Sequence, residues 1–136
     1  MTLKIYCDTN IFLDYLEQRS DNIRPLYEFA YLFFSKGWNC HFNIVVSDWL
    51  MEELKRHQTD EKIEEVLGEF KKKNKVIFVK REKSDMDKAR SMGDNWDDAL
   101  HAVLAKKADA DFLVTRNLRH YVGCETLVRV VLPEFI

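Results

Sequence analysis

Short apolar segments alternate with amphipathic segments along the whole chain, and this order restricts the possible folds more than any other feature of the sequence. The apolar segments predict β-strands, and the amphipathic ones predict helices with one buried face. The predicted strands cover 3–7, 41–46, 76–79, 112–115 and 127–132, and the predicted helices cover a segment after Asp8, 22–36, 47–57, 60–73, a segment from Ser84, and 95–107. Because strands joined through helices form parallel sheets, we expect an α/β sandwich with a mostly parallel central sheet and helices on both faces.

Local signals predict where several helices begin and end. Asp8 is a good N-cap for the first helix. Pro25 is tolerated in the first turn of the second helix, and Gly37 is expected to end that helix. Ser84 and Asp87 have the spacing of a capping box, which predicts a helix start at Ser84.

Length and composition set broad limits on the kind of protein. The 136 residues suit one domain, 1–136, and a hydrophobic fraction of 46% supplies a real core. The net charge of −2 argues against a generic binder of polyanions. Three cysteines without a CxxC spacing favour a reducing compartment. With neither a signal-peptide pattern nor an apolar stretch of roughly 18 residues, we expect a cytoplasmic protein without membrane association.

Four polar residues follow the predicted strands at points where a parallel sheet would gather them. Asp8 directly follows the first strand, and Glu53 lies on the helix after the second. Asp98 lies near the start of the 95–107 helix, and Asn117 follows the fourth strand. Functional groups of parallel sheets gather beyond the carboxyl ends of the strands. Converging carboxylates repel one another unless a cation lies between them, and Mg²⁺ and Mn²⁺ prefer oxygen ligands, so we expect a divalent-cation site.

Two of these carboxylates have an acidic neighbour that competes for the same role. Adjacent helical residues point about 100° apart, so only one of Glu52 and Glu53 can face the site. We favour Glu53 and expect Glu52 to be a solvated helix charge. Asp97 has capping-box spacing from Asp94, which gives Asp97 a structural role and leaves Asp98 for the cation, with Asp94 as a weak additional ligand.

Five segments together resemble the PIN-domain nucleases, and within them the VapC-like toxins. These segments are 5–14 (IYCDTNIFLD), 46–54 (VSDWLMEEL), 98–105 (DALHAVLA), 111–117 (DFLVTRN) and 130–135 (VVLPEF). They occur in the order found in the family and cover nearly the full length. Each motif alone is weakly specific, whereas the series is strongly specific.

The resemblance implies a fold, a site and an activity. The fold is a PIN-like three-layer sandwich, and the residues implied as metal ligands are Asp8, Glu53 and Asp98. Thr115 and Asn117 are implied to support the catalytic site. Many family members carry aspartate at the position of Asn117, while a related subgroup reads Thr-Arg-Asn as this chain does. Family members cut RNA, often as the toxin of a toxin–antitoxin pair, which implies an RNA substrate and a small antitoxin protein as partner.

Two further residues near these motifs have simpler interpretations. Asp14 is expected to face solvent or to orient a neighbouring group. His101 lies one turn after Asp98, but a single helical histidine is more often a packed or exposed side chain than a catalytic one.

The cationic residues divide into two groups. Arg116, Arg119 and His120 follow the fourth strand and are candidates for contact with RNA phosphates. Lys71–Lys73 and Lys75 form the densest basic run, which is more simply a solvated helix C-terminus.

The predicted helix 22–36 is apolar almost all round because it carries many aromatic residues. They are Tyr27, Phe29, Tyr31, Phe33 and Phe34. Helices of this kind are usually buried in the core. In a domain this small, one flank is alternatively covered by an antitoxin segment or by a second copy of the chain, as in a homodimer.

Taken together, the sequence predicts an Mg²⁺- or Mn²⁺-dependent endoribonuclease. A water activated by the cation is the expected nucleophile, since no Ser/His or Cys/His arrangement offers one. One alternative is a phosphatase with Asp8 as nucleophile, although such chemistry normally places a second aspartate where this chain has Asn10. The other alternative is a PIN-like module that binds RNA or protein and has lost its activity, which Asn117 keeps open.

Overall fold

In the computed structural model, which describes residues 2–136, five strands and six α-helices alternate as the sequence predicts. The strands are β1 (Leu3–Cys7), β2 (Phe42–Ser47), β3 (Val76–Val79), β4 (Phe112–Val114) and β5 (Arg129–Val131). The helices are α1 (Thr9–Leu16), α2 (Leu26–Trp38), α3 (Asp48–Lys55), α4 (Asp60–Lys72), α5 (Lys83–Arg90) and α6 (Trp96–Lys107). Short 3₁₀ helices occupy Leu118–Tyr121 and Pro133–Phe135. None of the helices within 2–136 is both long and apolar enough to cross a membrane.

The sheet has the order β3-β2-β1-β4-β5, and every neighbouring pair is parallel. β1 therefore lies in the middle, with Tyr6 opposite Val45 on one side and Leu113 on the other. Since all five strands run the same way, their carboxyl ends lie along one edge. Asp8 and Thr115 follow β1 and β4 at that edge.

Helices cover both faces of the sheet, which confirms the three-layer α/β sandwich. Alternate residues of β1 point to opposite faces: Ile5 and Cys7 belong to one apolar core and Tyr6 to the other. The first core packs against α1, α2 and α4, and the second packs against α5 and α6. This arrangement explains why the strands read as nearly continuous apolar segments, since strands buried on both faces need no polar alternation.

The limits of α2 differ from the prediction at both ends. The helix begins at Leu26, with Pro25 as its N-cap, instead of at 22. Gly37 lies inside the helix and is buried instead of ending it. An added Cβ at Gly37 would lie 2.7 Å from the Phe42 ring, so the glycine serves close packing against the sheet.

Both predicted capping boxes are wrong. The capping box of α5 uses Glu82 and Asp85, two residues before Ser84 and Asp87, and the Glu82 backbone N–H donates to Asp85 Oδ2 at 2.8 Å. For α6 the N-cap is Asn95, so Asp97 lies in the first turn of the helix and forms no box with Asp94. For α5 two pairs have the required spacing, and the structure uses the earlier one.

The aromatic helix α2 is buried on one side only. Phe33 and Phe34 lie in the core, whereas Tyr31 and Leu32 are 44% and 56% exposed. Tyr31 stacks with Tyr15 of α1, whose ring also stacks with Tyr27. The α1–α2 side of the protein therefore presents an aromatic surface.

Candidate functional site

The side chain of Asp8 accepts several hydrogen bonds at the candidate site. It caps α1 by accepting a hydrogen bond from the Thr9 backbone N–H at 2.7 Å. Its Oδ2 atom accepts from the hydroxyls of Thr115 and Tyr121, both at 2.8 Å, and from the Asn10 amide at 3.4 Å. The residue is only 5% exposed. Hydrogen bonds from four residues fix this carboxylate at the carboxyl end of the central strand.

Glu53, and not Glu52, faces Asp8. Ser47 caps α3 by accepting from the Leu50 N–H, which sets the helix that carries Glu53 at the sheet edge. The Thr9 hydroxyl donates to Glu53 Oε1 at 2.7 Å, while Glu52 points away and pairs with Arg81. Glu52 is therefore an exposed helix charge, as expected, and it also forms an ion pair.

His101 completes a compact group with the two carboxylates. Its Nε2 atom lies 2.6 Å from Glu53 Oε1 and 3.7 Å from Asp8 Oδ1. Ligand atoms of Asp8, Glu53 and His101 lie within 4.8 Å of one another. His101 is fully buried, so the expected packed histidine is found, but at the site itself. The available sequence signal was its spacing of three residues from Asp98, which places both on one face of α6.

The local charges shift the pKa values of Glu53 and His101 in opposite senses. Burial acts to raise the pKa of Glu53, but hydrogen bonds from His101 and Thr9 outweigh it and lower that pKa. Burial acts to lower the pKa of His101, and the neighbouring carboxylates of Glu53 and Asp8 raise it on balance. The shift at Glu53 favours its ionised carboxylate, and the shift at His101 favours a protonated ring nitrogen facing that carboxylate.

Asp98 lies in the same hollow but outside the tight group. It is half-buried in the first turn of α6, and its Oδ2 atom is 3.0 Å from His120 Nδ1. Burial, with repulsion from Asp8 and Asp97, raises the pKa of Asp98 to about 6. A bound cation would offset the repulsion from the neighbouring carboxylates and so favour the ionised form of Asp98. The oxygen-rich donor set of Asp8, Glu53 and Asp98 therefore fits a hard divalent cation.

Thr115 and Asn117 both lie at this edge, in different roles. The buried Thr115 hydroxyl donates to Asp8 and accepts from the Asn117 backbone N–H at 3.1 Å. Asn117 is half-buried and its side chain lines the hollow. Asp97 also lines this hollow, whereas Asp94 lines a neighbouring one.

The hollow has a volume of about 290 Å³ and is lined by carboxylates and by basic side chains. The basic residues are Arg56, His57 and His120. A second hollow of about 340 Å³ adjoins it and shares Asn117 and His120 as a wall. Its other cationic residues are Arg24, Arg116 and Arg119. A continuous acidic and basic surface thus runs over the sheet edge.

Two of the sequence interpretations of charged residues change in the structure. Asp14 is buried and pairs with Arg116, so it orients a neighbour and does not face solvent. The Arg116 guanidinium is consequently engaged within the protein, while Arg119 is exposed beside it. At the end of α4, Lys71 pairs with Glu64 and Lys72 with Glu69, away from both hollows.

Comparisons with known proteins agree with this architecture. A family model described as PIN domain matches residues 4–119. No curated protein sequence matches the chain. Among solved structures, FitAcB from Neisseria gonorrhoeae is similar over 97% of this chain and 99% of its own, with 16% identity and a TM-score of 0.64. VapBC2 from Rickettsia felis, solved with a DNA fragment from its promoter, is similar over 94% of this chain and 98% of its own, with 16% identity and a TM-score of 0.54.

Proposed function

The chain belongs to the PIN-domain family, and from that premise we propose that it is an Mg²⁺- or Mn²⁺-dependent endoribonuclease that acts as the toxin of a toxin–antitoxin pair. The observation that carries the enzymatic proposal is the convergence of Asp8 and Glu53 within 4.8 Å of each other. Asp98 lies in the same hollow with a raised pKa. These three carboxylates come from separate parts of the chain, and their mutual repulsion destabilises the folded protein unless a cation binds between them.

Each residue of the site has a distinct proposed role. Asp8, Glu53 and Asp98 would hold the cation, and Thr115 keeps Asp8 in place by its hydroxyl hydrogen bond. Asn117, on the wall of the hollow, would orient the attacking water. When bound, a divalent cation supplies an activated water and neutralises charge on the leaving oxygen of a phosphodiester.

The basic residues that line the hollow support a polyanionic substrate beside the carboxylates. Arg56, His57 and His120 surround the site, and Arg119 lies in the adjoining hollow. Phosphates on either side of the scissile one would contact these side chains, and the overall charge of −2 argues against a generic binder of polyanions. Both hollows open to solvent at the sheet edge, which suits an extended single strand.

The alternative of a phosphatase with Asp8 as nucleophile fits the site less well. Asp8 Oδ2 already accepts from Thr115 and Tyr121, and Oδ1 accepts from the Thr9 backbone. Asn10, where that chemistry wants an acid, instead accepts from the Arg116 N–H and donates to Thr115.

The proposed partner is a small antitoxin protein, with a second copy of the chain as a further partner in a homodimer. The antitoxin proposal is supported by the similarity to FitAcB and VapBC2, whose fold this chain shares over nearly its full length. The exposed Tyr31 and Leu32 of α2 supply apolar surface for such contacts. Cytoplasmic location follows as part of the same proposal, since an RNA-cutting toxin acts where its substrate is.

The test is cleavage of single-stranded RNA by the purified chain with and without Mn²⁺. We expect cleavage that requires the metal and is abolished in Asp8→Asn and Asp98→Asn. Glu53→Gln should be inactive as well, whereas the matched Glu52→Gln, one residue away and paired with Arg81, should stay active. Equal cleavage by Asp8→Asn and the parent protein would reject the proposal. Tight RNA binding without Mn²⁺ binding or cleavage would identify a binding module instead.

A further inference from the structure

We propose that His101 is the positioning residue of Glu53, holding one carboxylate oxygen so that the other is presented to the cation. The inference rests on the proposed function for the identity of the metal site. Its basis is a juxtaposition: His101 Nε2 lies 2.6 Å from Glu53 Oε1, and the opposite ring nitrogen lies 2.6 Å from the Tyr6 hydroxyl.

A buried chain of hydrogen bonds extends from Glu53 into the protein. After His101 and Tyr6 it continues to Ser47 Oγ, 2.6 Å from the Tyr6 hydroxyl. Ser47 Oγ also accepts from the Leu50 N–H at 3.0 Å, in the first turn of the helix that carries Glu53. Tyr6, Ser47 and His101 are each fully buried. The chain thus starts and ends on α3 and passes through β1 and α6, which fixes Glu53 relative to the sheet.

The bond between Glu53 and His101 has one donor. An ionised Glu53 only accepts, so His101 Nε2 carries the proton and donates it. The bonds from His101 Nδ1 to Tyr6 and from Tyr6 to Ser47 continue the chain, and Ser47 still accepts from Leu50. A fully paired buried network holds its members rigidly.

The two oxygens of Glu53 are used differently. The Thr9 hydroxyl and His101 Nε2 both bond to Oε1. Among residues 2–136, Oε2 receives no hydrogen bond, so it is the oxygen left for a cation. Because His101 Nε2 is protonated toward Oε1, the ring supports a ligand and is not itself one.

Mn²⁺ affinity, measured by titration calorimetry, tests the positioning role. His101→Met removes the donor, and we expect affinity to fall about 10–100-fold, as for loss of other partners that orient metal ligands. His101→Gln places an amide N–H near the former Nε2 and should restore most of the loss. Tyr6→Phe removes only the bond to Nδ1 and should give a smaller loss, under about tenfold. Val103→Ala, a truncation in the same core without contact to Glu53, is the control for general destabilisation and should bind as the parent does.

The ring protonation is tested without any substitution. Long-range ¹H–¹⁵N spectra of the parent protein should show a protonated Nε2, unchanged when Mg²⁺ is added. Loss of the Nε2 proton on adding Mg²⁺ would make His101 a ligand and overturn the inference. So would equal losses in His101→Gln and His101→Met, or parent-like affinity in His101→Met. Absence of Mn²⁺ binding by the parent protein would instead refute the proposed function, and the inference with it.

Discussion

The guanidinium of Arg116 donates two hydrogen bonds to the carboxylate of Asp14, from Nε to Oδ2 at 2.9 Å and from Nη2 to Oδ1 at 3.1 Å. Asp14 is buried on α1, and Arg116 lies just beyond β4. The pair therefore ties the helix that follows Asp8 to the segment that carries Thr115 and Asn117. Arg116, which the sequence also offers as a candidate for contact with RNA phosphates, thus supports the site through this ion pair.

Arg116→Met should destabilise the protein by about 2 kcal/mol. The expected loss lies below the about 3–5 kcal/mol for breaking a fully buried pair, since Arg116 is partly exposed. Urea unfolding measures the loss, with Arg119→Met as the solvent-exposed control. In the double variant Asp14→Leu/Arg116→Met most of the stability should return, because no buried charge is left unpaired. An unchanged unfolding midpoint in Arg116→Met would contradict this role.

Asp98→Asn should stabilise the metal-free protein at pH 7.5 and have little effect near pH 3, below the ordinary pKa of an aspartate. Folding raises the pKa of Asp98 from its ordinary 3.8 to about 6. At low pH both folded and unfolded chains are protonated at this position, so the shift costs nothing. Above the folded value both are ionised, and the folded chain bears the cost of burying this charge and the repulsion from Asp8 and Asp97. After allowance for solvent screening we expect about 1 kcal/mol.

Thermal unfolding across this pH range, with and without Mn²⁺, measures the effect of Asp98→Asn. Saturating Mn²⁺ should reverse the ranking, because a ligand that binds only the folded state stabilises the better binder more. If the parent protein remained less stable than Asp98→Asn in saturating Mn²⁺, Asp98 would not be a cation ligand.

Arg119→Ala should weaken RNA binding without altering the metal site. The background is Asp8→Asn, so that the RNA stays intact. Loss of one phosphate contact lowers the slope of log affinity against log salt by about 0.7 for a single strand. Fluorescence anisotropy at several salt concentrations measures the slope, and Lys72→Ala on the far end of α4 is the charge-matched control. Identical slopes for Asp8→Asn and Asp8→Asn/Arg119→Ala would show that Arg119 does not contact an RNA phosphate.

Gly37→Ala should cost about 1–3 kcal/mol, since an added methyl group collides with the Phe42 and Phe70 rings. Gly68→Ala is the matched control on α4. There the nearest atom to an added Cβ is Glu64 Oε2 at 3.8 Å, so alanine fits and should stabilise by about 0.5–1 kcal/mol. Chemical denaturation of both variants distinguishes close packing from helix propensity; equal effects would leave the packing role of Gly37 unsupported.

The sequence predicts the sheet and the edge where the site lies because both depend on local patterns. Apolar segments of strand length fix β1 to β5, and parallel order brings Asp8 and Thr115 together. The choice of Glu53 over Glu52 also needs only helical periodicity and the family spacing. These features require no knowledge of how distant side chains pack.

The contacts that the sequence did not predict depend on packing between distant segments. Tyr121 lies in a short 3₁₀ helix, and nothing local indicates that its hydroxyl reaches Asp8. His101 has apolar neighbours on α6, which are typical of a histidine in the core. It is buried as they indicate, but they do not reveal its contact with Glu53. In the sequence Gly37 has the position of a helix-ending glycine, and only the structure shows that the Phe42 and Phe70 rings pack against it.

Asp8 depends on Thr115 and Tyr121, which follow it by 107 and 113 residues. The carboxylate therefore acquires these hydroxyl partners only after more than a hundred further residues have been synthesised. A growing polypeptide that has not yet reached Thr115 and Tyr121 lacks the hydrogen bonds that hold Asp8 at the sheet edge.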